Sequence, residues 1–253
     1  MIELGFTEIL LSLVLIALAI AVSLWWKIPV QKDMAIGSVR AFVQLIAIGY
    51  ALKFIFDLES LWLIFGAILI MITVGSHTAA GKVKTHKGAF LIAFVSIMTG
   101  SAITLGLMLV LNIITLEAKY VIPLAGMIVG NSMNAAALTT DRITSDIRLN
   151  APAIEAALAL GKSWREASRP YQKSASIAGM LSILNFMKTV GLVALPGAMT
   201  GMILAGAEPL SAVLLQFIVG AMLLSAVTIT SIVALELTVR RYFTVNHQLI
   251  LKS

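Results

Sequence analysis

Residues 89–111 read AFLIAFVSIMTGSAITLGLMLVL. The run carries no charge and exceeds the about 20 residues a helix needs to cross a bilayer. Lipid gives backbone N–H and C=O groups no partner, so a chain built of such runs is a helix bundle or a closed barrel. Barrel strands alternate with period two, whereas this run is continuously apolar, so a helix is expected. Six more apolar blocks flank it: Leu4–Trp26, Met34–Phe56, Leu61–Ala80, Tyr120–Thr140, a block within Ile177–Ala205, and Leu210–Val239. The composition agrees, with 60% hydrophobic and 12% charged residues and a mean hydropathy of +1.01, against roughly 25% charged in a soluble domain. The expected fold is all-α: a polytopic membrane bundle of about seven transmembrane helices, one domain over residues 1–253. The chain has no cysteine, which excludes disulfides and thiolate metal sites.

The net charge of +6 would suggest nucleic acid in a soluble protein. In a membrane protein it reads first as orientation, so membrane lipid is the expected partner and nucleic acid is not. The segments 27–40, 82–87, 141–173 and 240–253 together hold 15 of the 18 basic residues. The other side has Lys53 and Lys119 against Glu3, Glu8, Asp57, Glu59, Glu117 and Glu208, and Lys188 falls within the sixth block. The basic side is expected in the cytoplasm, with the N-terminus outside and the C-terminus inside. The first block lacks a basic front and a clear cleavage pattern, so it reads as a retained helix. Trp25 and Trp26 at its end suit a membrane interface.

The longest polar interruption is 150–174, NAPAIEAALALGKSWREASRPYQKS, within a cytoplasmic segment of about 141–175. Asn150 is a suitable helix cap, and Pro152 fits a first turn. Ile154, Ala157, Leu158 and Gly161 recur at helical spacing and give one small apolar face. Gly161 interrupts the helix, and Ser163 with Glu166 has the spacing of a capping box that restarts it. Arg165 and Arg169 mark the polar side, and Pro170 is expected to disturb or end the second piece. Two readings stay open: a helix–glycine–helix elbow whose apolar face docks into another protein, or an amphipathic loop lying on headgroups with Trp164. Gly161-Lys162-Ser163 copies the end of a phosphate-binding loop, but that motif needs glycine at 156, which is Ala156, and a preceding strand. No catalytic residue or ATP site is expected in this chain.

Polar residues within spans face a bundle interior or a water-filled path. Asn131 and Asn134 share a helical face, where they either hold a polar solute or bond a neighbouring helix. Arg40 with Gln44 one turn deeper is either a snorkelling arginine or a polar gate. Lys188 snorkels if the sixth block starts near Phe186, with 176–185 as an interfacial extension; otherwise it needs a partner, for which Glu236 is available. Gly126 with Gly130, and Gly197, Gly201 and Ala205, are spaced for close helix approach. Leu195-Pro196-Gly197 is expected to kink or unwind the sixth block, as a packing device or a hinge at Pro196, Gly197 and Gly201. Met127 and Met133 are soft ligands, and His77, His86 and His247 are dispersed, so no metal site is expected.

Glu155-Ala156-Ala157 followed by Gly161 resembles the EAA…G element of bacterial ABC transporter permeases. More of the chain resembles the FetB family of ABC permeases, also called UPF0014 membrane proteins. The matching stretches are Ser38-Val39-Arg40-Ala41 with Gln44-Leu45, Met133-Asn134, the 155–161 element, and 194–201, ALPGAMTG. The resemblance implies the membrane subunit of an ATP-driven transporter in a bacterial inner membrane, paired with a second copy. It implies that Glu155, Ala156, Ala157, Gly161 and Arg165 couple to a separate cytoplasmic ATPase, which supplies ATP and Mg chemistry. It further implies iron export, with plant relatives linked to aluminium tolerance. The alternative is a carrier driven by an ion gradient, for which a deep carboxylate and inverted repeats are the expected marks. Neither is visible in the sequence.

Overall fold

The computed structural model describes residues 6–58, 60–83, 88–244 and 246–251. Glu3, Glu59, Lys84, His86, Lys87 and Lys252, used above, lie outside the described residues. The chain divides into two units, 1–60 and 61–253. The first contains α1 (Phe6–Trp25) and α2 (Gln31–Leu58), which pack on each other. Lys27 turns between them in the left-handed conformation, φ 53°. Trp25 and Trp26 stand 82% and 72% exposed at the end of α1.

The second unit contains α3 (Leu61–Lys82), α4 (Ala89–Val110), α5 (Ala118–Leu149), α6 (Ala151–Ala159), α7 (Trp164–Thr189), α8 (Gly197–Leu204) and α9 (Pro209–Val239), closed by a 3-10 turn at Arg240–Tyr242. Among the described residues five stretches are long and apolar enough to cross a membrane: Gln31–Phe56, Leu61–Lys82, Ala89–Val110, Ala118–Leu149 and Pro209–Tyr242. The chain is a polytopic helical membrane protein. Two of the about seven expected spans are not among these five. The first block forms the 20-residue α1 and is not among those five. The sixth is divided, because Gly191 at φ 85° and Pro196 separate α7 from α8. Residues 176–185 are regular helix with Gly179 and Ile183 in the core.

α5 is the hub. It packs against α3, α4, α7 and α9, and α9 packs in turn on α4, α7 and α8. At 32 and 31 residues, α5 and α9 are about 48 and 46 Å long at 1.5 Å per residue, more than the about 30 Å hydrocarbon core. Ala125 and Ile128 of α5 meet Ala226 and Val219 of α9 in one core cluster. Ile143 and Ile147 at the other end of α5 meet Leu235 and Val239 in another.

Close helix approach falls on glycines other than those the spacing picks out. Nothing lies within 4 Å of a Cβ built on Gly130, Gly197 or Gly201, and Gly126 meets only Met71 Sδ at 4.0 Å. A Cβ on Gly179 of α7 would instead overlap Thr139 Oγ1 of α5 and stand 2.9 Å from Ser231 Oγ of α9 and 3.1 Å from the Ala135 carbonyl oxygen. One on Gly100 of α4 would overlap Thr230 Oγ1 and stand 2.9 Å from the Ala226 carbonyl oxygen of α9. A GxxxG pattern records spacing on one helix, whereas close approach depends on which face meets a neighbour. Gly179→Val is therefore expected to lower stability by about 1–3 kcal/mol through overpacking. Gly130→Val should stay within about 0.5 kcal/mol. Melting in detergent micelles checks both, and equal melting points for the two variants would contradict this account of the packing.

Candidate functional site

The polar interruption folds as an elbow. α5 ends at Leu149 and α6 starts two residues later, so Asn150 serves both helices. Its side chain does not cap α6; Asn150 Nδ2 donates to the Asp146 carbonyl at 2.8 Å and closes α5. Gly161 then turns the chain at φ 85°, where a residue with a Cβ is strained. Ser163 and Glu166 form the expected capping box: the Ser163 N–H donates to Glu166 Oε2 at 2.9 Å, and the Glu166 N–H donates to Ser163 Oγ at 3.4 Å. The Ser163 hydroxyl, which donates to the same carboxylate at 2.7 Å, and then the Ser163 N–H hold the Glu166 carboxyl below its ordinary value. The sign follows: the cap is intact above the ordinary carboxylate range and opens as pH falls through the lowered value.

Pro170 does not end the second piece. It lies inside α7 on an exposed face, while Ala167, Ser168 and Ala175 are buried to either side. The helix loses one hydrogen bond there, and the packed turns around it keep its direction. α7 thus runs unbroken from the elbow to Thr189, 26 residues, past its contact at Gly179.

The elbow's two faces are the reverse of the sequence expectation. Ile154 is fully buried and Ala157 and Leu158 are half-buried, against Ile147, Ala167 and Val239 of the same chain. The face expected to meet another protein is thus the one seated on the bundle. The outward face carries Ala153, Glu155, Ala156 and Ala159, with Leu149 79% and Leu160 83% exposed at its two ends. Gly161 and Arg165 are also exposed.

A buttress the sequence did not reveal supports the elbow from below. Beyond the 3-10 turn the chain folds back, with Phe243 and Leu249 bridged and the Ile250 N–H donating to the Tyr242 carbonyl at 2.8 Å. Phe243 stacks on Trp164, with ring centroids 5.6 Å apart and planes at 22°. The Trp164 N–H makes a long 3.4 Å hydrogen bond to His247 Nδ1. Arg165 lies over the Trp164 ring at 5.1 Å and pairs with Glu236 at 3.2 Å, while Arg240 pairs with the same carboxylate at 2.8 Å. Glu236 is therefore a partner of Arg165 and Arg240, and the pairing with Lys188 considered above does not occur.

The polar residues of the spans are dispersed. Asn131 Nδ2 donates to the Met127 carbonyl of its own helix at 2.8 Å, and Asn134 Oδ1 accepts from Lys82 Nζ of α3 at 3.2 Å. The Lys82 contact had no signal in the sequence beyond a lysine at a helix end. Arg40 and Gln44 lie one turn apart on α2, beside a shallow surface hollow with Ile36, Val39 and Val43. Lys188 is exposed in the last turn of α7, and Pro196 is the residue before α8, with Gly197 and Gly201 exposed along it. Among the described residues no group of three or more His, Cys, Asp or Glu could hold a metal ion.

Residues 6–243, almost the whole bundle with its elbow, match the family described as "Uncharacterised protein family (UPF0014)". The chain belongs to the UPF0014 family. UPF0014 relatives align along nearly their full length. Protein ALUMINUM SENSITIVE 3 of Arabidopsis thaliana is 37% identical over 238 residues, 94% of this chain and 87% of the relative. UPF0014 membrane protein STAR2 of Oryza sativa subsp. japonica is 37% identical over 234 residues, 92% and 82% of the two chains. The probable iron export permease protein FetB of Escherichia coli is 34% identical over 240 residues, 95% and 93% of the two. No solved structure matches this chain.

The Trp164–Phe243 stack makes the buttress testable. A stacked aromatic pair contributes about 0.5–1.5 kcal/mol beyond its buried area. Trp164→Ala is expected to speed hydrogen exchange at the Thr244 and Ile250 amides about tenfold, the equivalent of about 1.4 kcal/mol. Unchanged exchange at both amides would show that the stack does not hold the tail.

Proposed function

We propose that this chain is the membrane subunit of an ATP-driven exporter of metal, with iron the leading cargo, and that two copies form its path. One observation carries the coupling step: the elbow presents small alanines between two exposed leucines while its other face is fixed to the bundle. A short helix with that outward face fits a hydrophobic cleft, here in a separate cytoplasmic ATPase that supplies ATP and Mg chemistry. Glu155, Ala156, Gly161 and Arg165 are assigned to the contact, and Ala157 to the hinge side beneath it. Membership of a family that includes a probable iron export permease supports the role and the cargo.

In this reading the elbow is cytoplasmic, the N-terminus is outside and the C-terminus inside. Seven crossings result when α1 and the broken α7–α8 pair are added to the five long spans. ATPase closure pushes the elbow, and α7 carries the displacement to Gly179 and on to the break before α8. Pro196, Gly197 and Gly201 are the assigned hinge, since an interrupted helix bends at low cost. Asn131, Asn134, Arg40 and Gln44 are assigned to the path or its gates. The elbow would favour one of two states of the bundle according to what the ATPase binds.

Ala156→Glu, on the outward face, is expected to reduce co-purification of the ATPase at least about tenfold with the melting temperature unchanged. Ala153→Glu serves as the second variant. Full association with both variants would remove the outward face from the interface.

A further inference from the structure

α7 is the unusual helix of the bundle. It packs between α5 and α9, yet it is not among the five helices apolar enough to span. Its charged first half accounts for part of this. The rest lies deeper, where Ser182, Asn185 and Lys188 are all exposed and three residues apart, along one strip of the helix. Depth follows from contacts. Met187 Sδ stands 3.0 Å from a Cβ built on Gly220 of α9. Gly220 is eleven residues into α9, about 16 Å from its start at 1.5 Å per residue. With Pro209 taken as the edge of a hydrocarbon core about 30 Å thick, Lys188 lies near its middle.

Just beyond Lys188 the helix stops. Residues 190–196 are non-helical, with Leu192 91% and Val193 82% exposed. The N–H groups of Leu195, Gly197, Ala198 and Met199 make no backbone hydrogen bond. Lipid cannot satisfy them, and irregular backbone at this depth is tolerated only in protein or beside water. An exposed ammonium beside it favours water over a dry interface. None of the ion pairs among the described residues, Lys119–Glu117, Arg142–Asp146, Arg165–Glu236 and Arg240–Glu236, includes Lys188.

We infer that the strip Ser182–Asn185–Lys188 and the unwound turn beyond it line a water-filled track that admits anions and rejects bare cations. An ammonium, an amide and a hydroxyl, with free N–H groups at the turn, donate hydrogen bonds to anionic oxygens. None of them is an anionic ligand for a hard metal ion. The cargo class is thus an anionic, oxygen-rich solute, and a metal would pass only within an anionic chelate. This inference rests on reading the chain as a transport subunit.

The cysteine-free chain allows a direct test. Asn185→Cys, Ser182→Cys and, as an exposed apolar control, Leu69→Cys are placed in lipid nanodiscs, open to both faces. Each is reacted with anionic methanethiosulfonate ethylsulfonate and cationic methanethiosulfonate ethyltrimethylammonium. Asn185→Cys and Ser182→Cys should react at least about tenfold faster than the control. At Asn185→Cys the anionic-to-cationic rate ratio should exceed that of free cysteine by about tenfold. Adding Lys188→Gln should return the ratio to the free-cysteine value, and Lys188→Arg should preserve it. Rates at both α7 positions equal to the control would overturn the water-filled track. A ratio at or below that of free cysteine, or one unmoved by Lys188→Gln, would overturn the preference for anions. No ATPase is present in this test, so its failure is read apart from failure of the elbow variants.

Discussion

The contact at Gly179 sets the spacing of three helices of the second unit. There α7 meets Thr139 of α5 and Ser231 of α9 with no room for a side chain. A helix held at that distance by backbone and hydroxyls cannot slide past its neighbours without separating from them. It can pivot. One arm of α7 runs from Gly179 to the elbow and the other to the break at Val190. In the proposed cycle the same contact makes α7 a lever with a short, stiff fulcrum.

The elbow combines two surfaces that a single helix face could not. Ile154 is sunk into the apolar cluster under α6, and this anchors the turn. The alanines opposite stay exposed because nothing among the described residues covers them. Burying one large aliphatic side chain is worth about 1.5–3 kcal/mol, enough to keep α6 seated on the bundle. The surface ion pairs around Glu236 add less, since exposed pairs are worth about 0–1 kcal/mol each.

Sequence periodicity made the long spans legible because lipid imposes one rule along their whole length. It marked the capping box for the same kind of reason: Ser163 and Glu166 act on backbone groups three residues away. It failed where the outcome depends on a neighbour. Ile154, Ala157 and Leu158 form an apolar face in any helix, and only the packing shows that the chain covers that face itself. Gly126 and Gly130 advertise a seam, yet Gly100 and Gly179 make the contacts. Pro170 signalled an end that burial of the adjacent turns overrides. Of the residues proposed to line a path, Asn131 and Asn134 share a face as expected. Their hydrogen bonds lead to Met127 and Lys82, and no local pattern encodes those partners.

The fold-back of the tail onto Trp164 also sets an order of construction. Tyr242, Phe243 and Leu249 form the floor beneath the elbow, some eighty residues later in the chain than the helix they support. During synthesis α6 emerges while α9 and the tail are still unmade. Ile154 and Trp164 must wait for part of their apolar surroundings until residue 249 has left the ribosome. The surface proposed to engage an ATPase is therefore among the last parts of the protein to take its final shape, and an incompletely translated chain has no finished elbow to offer.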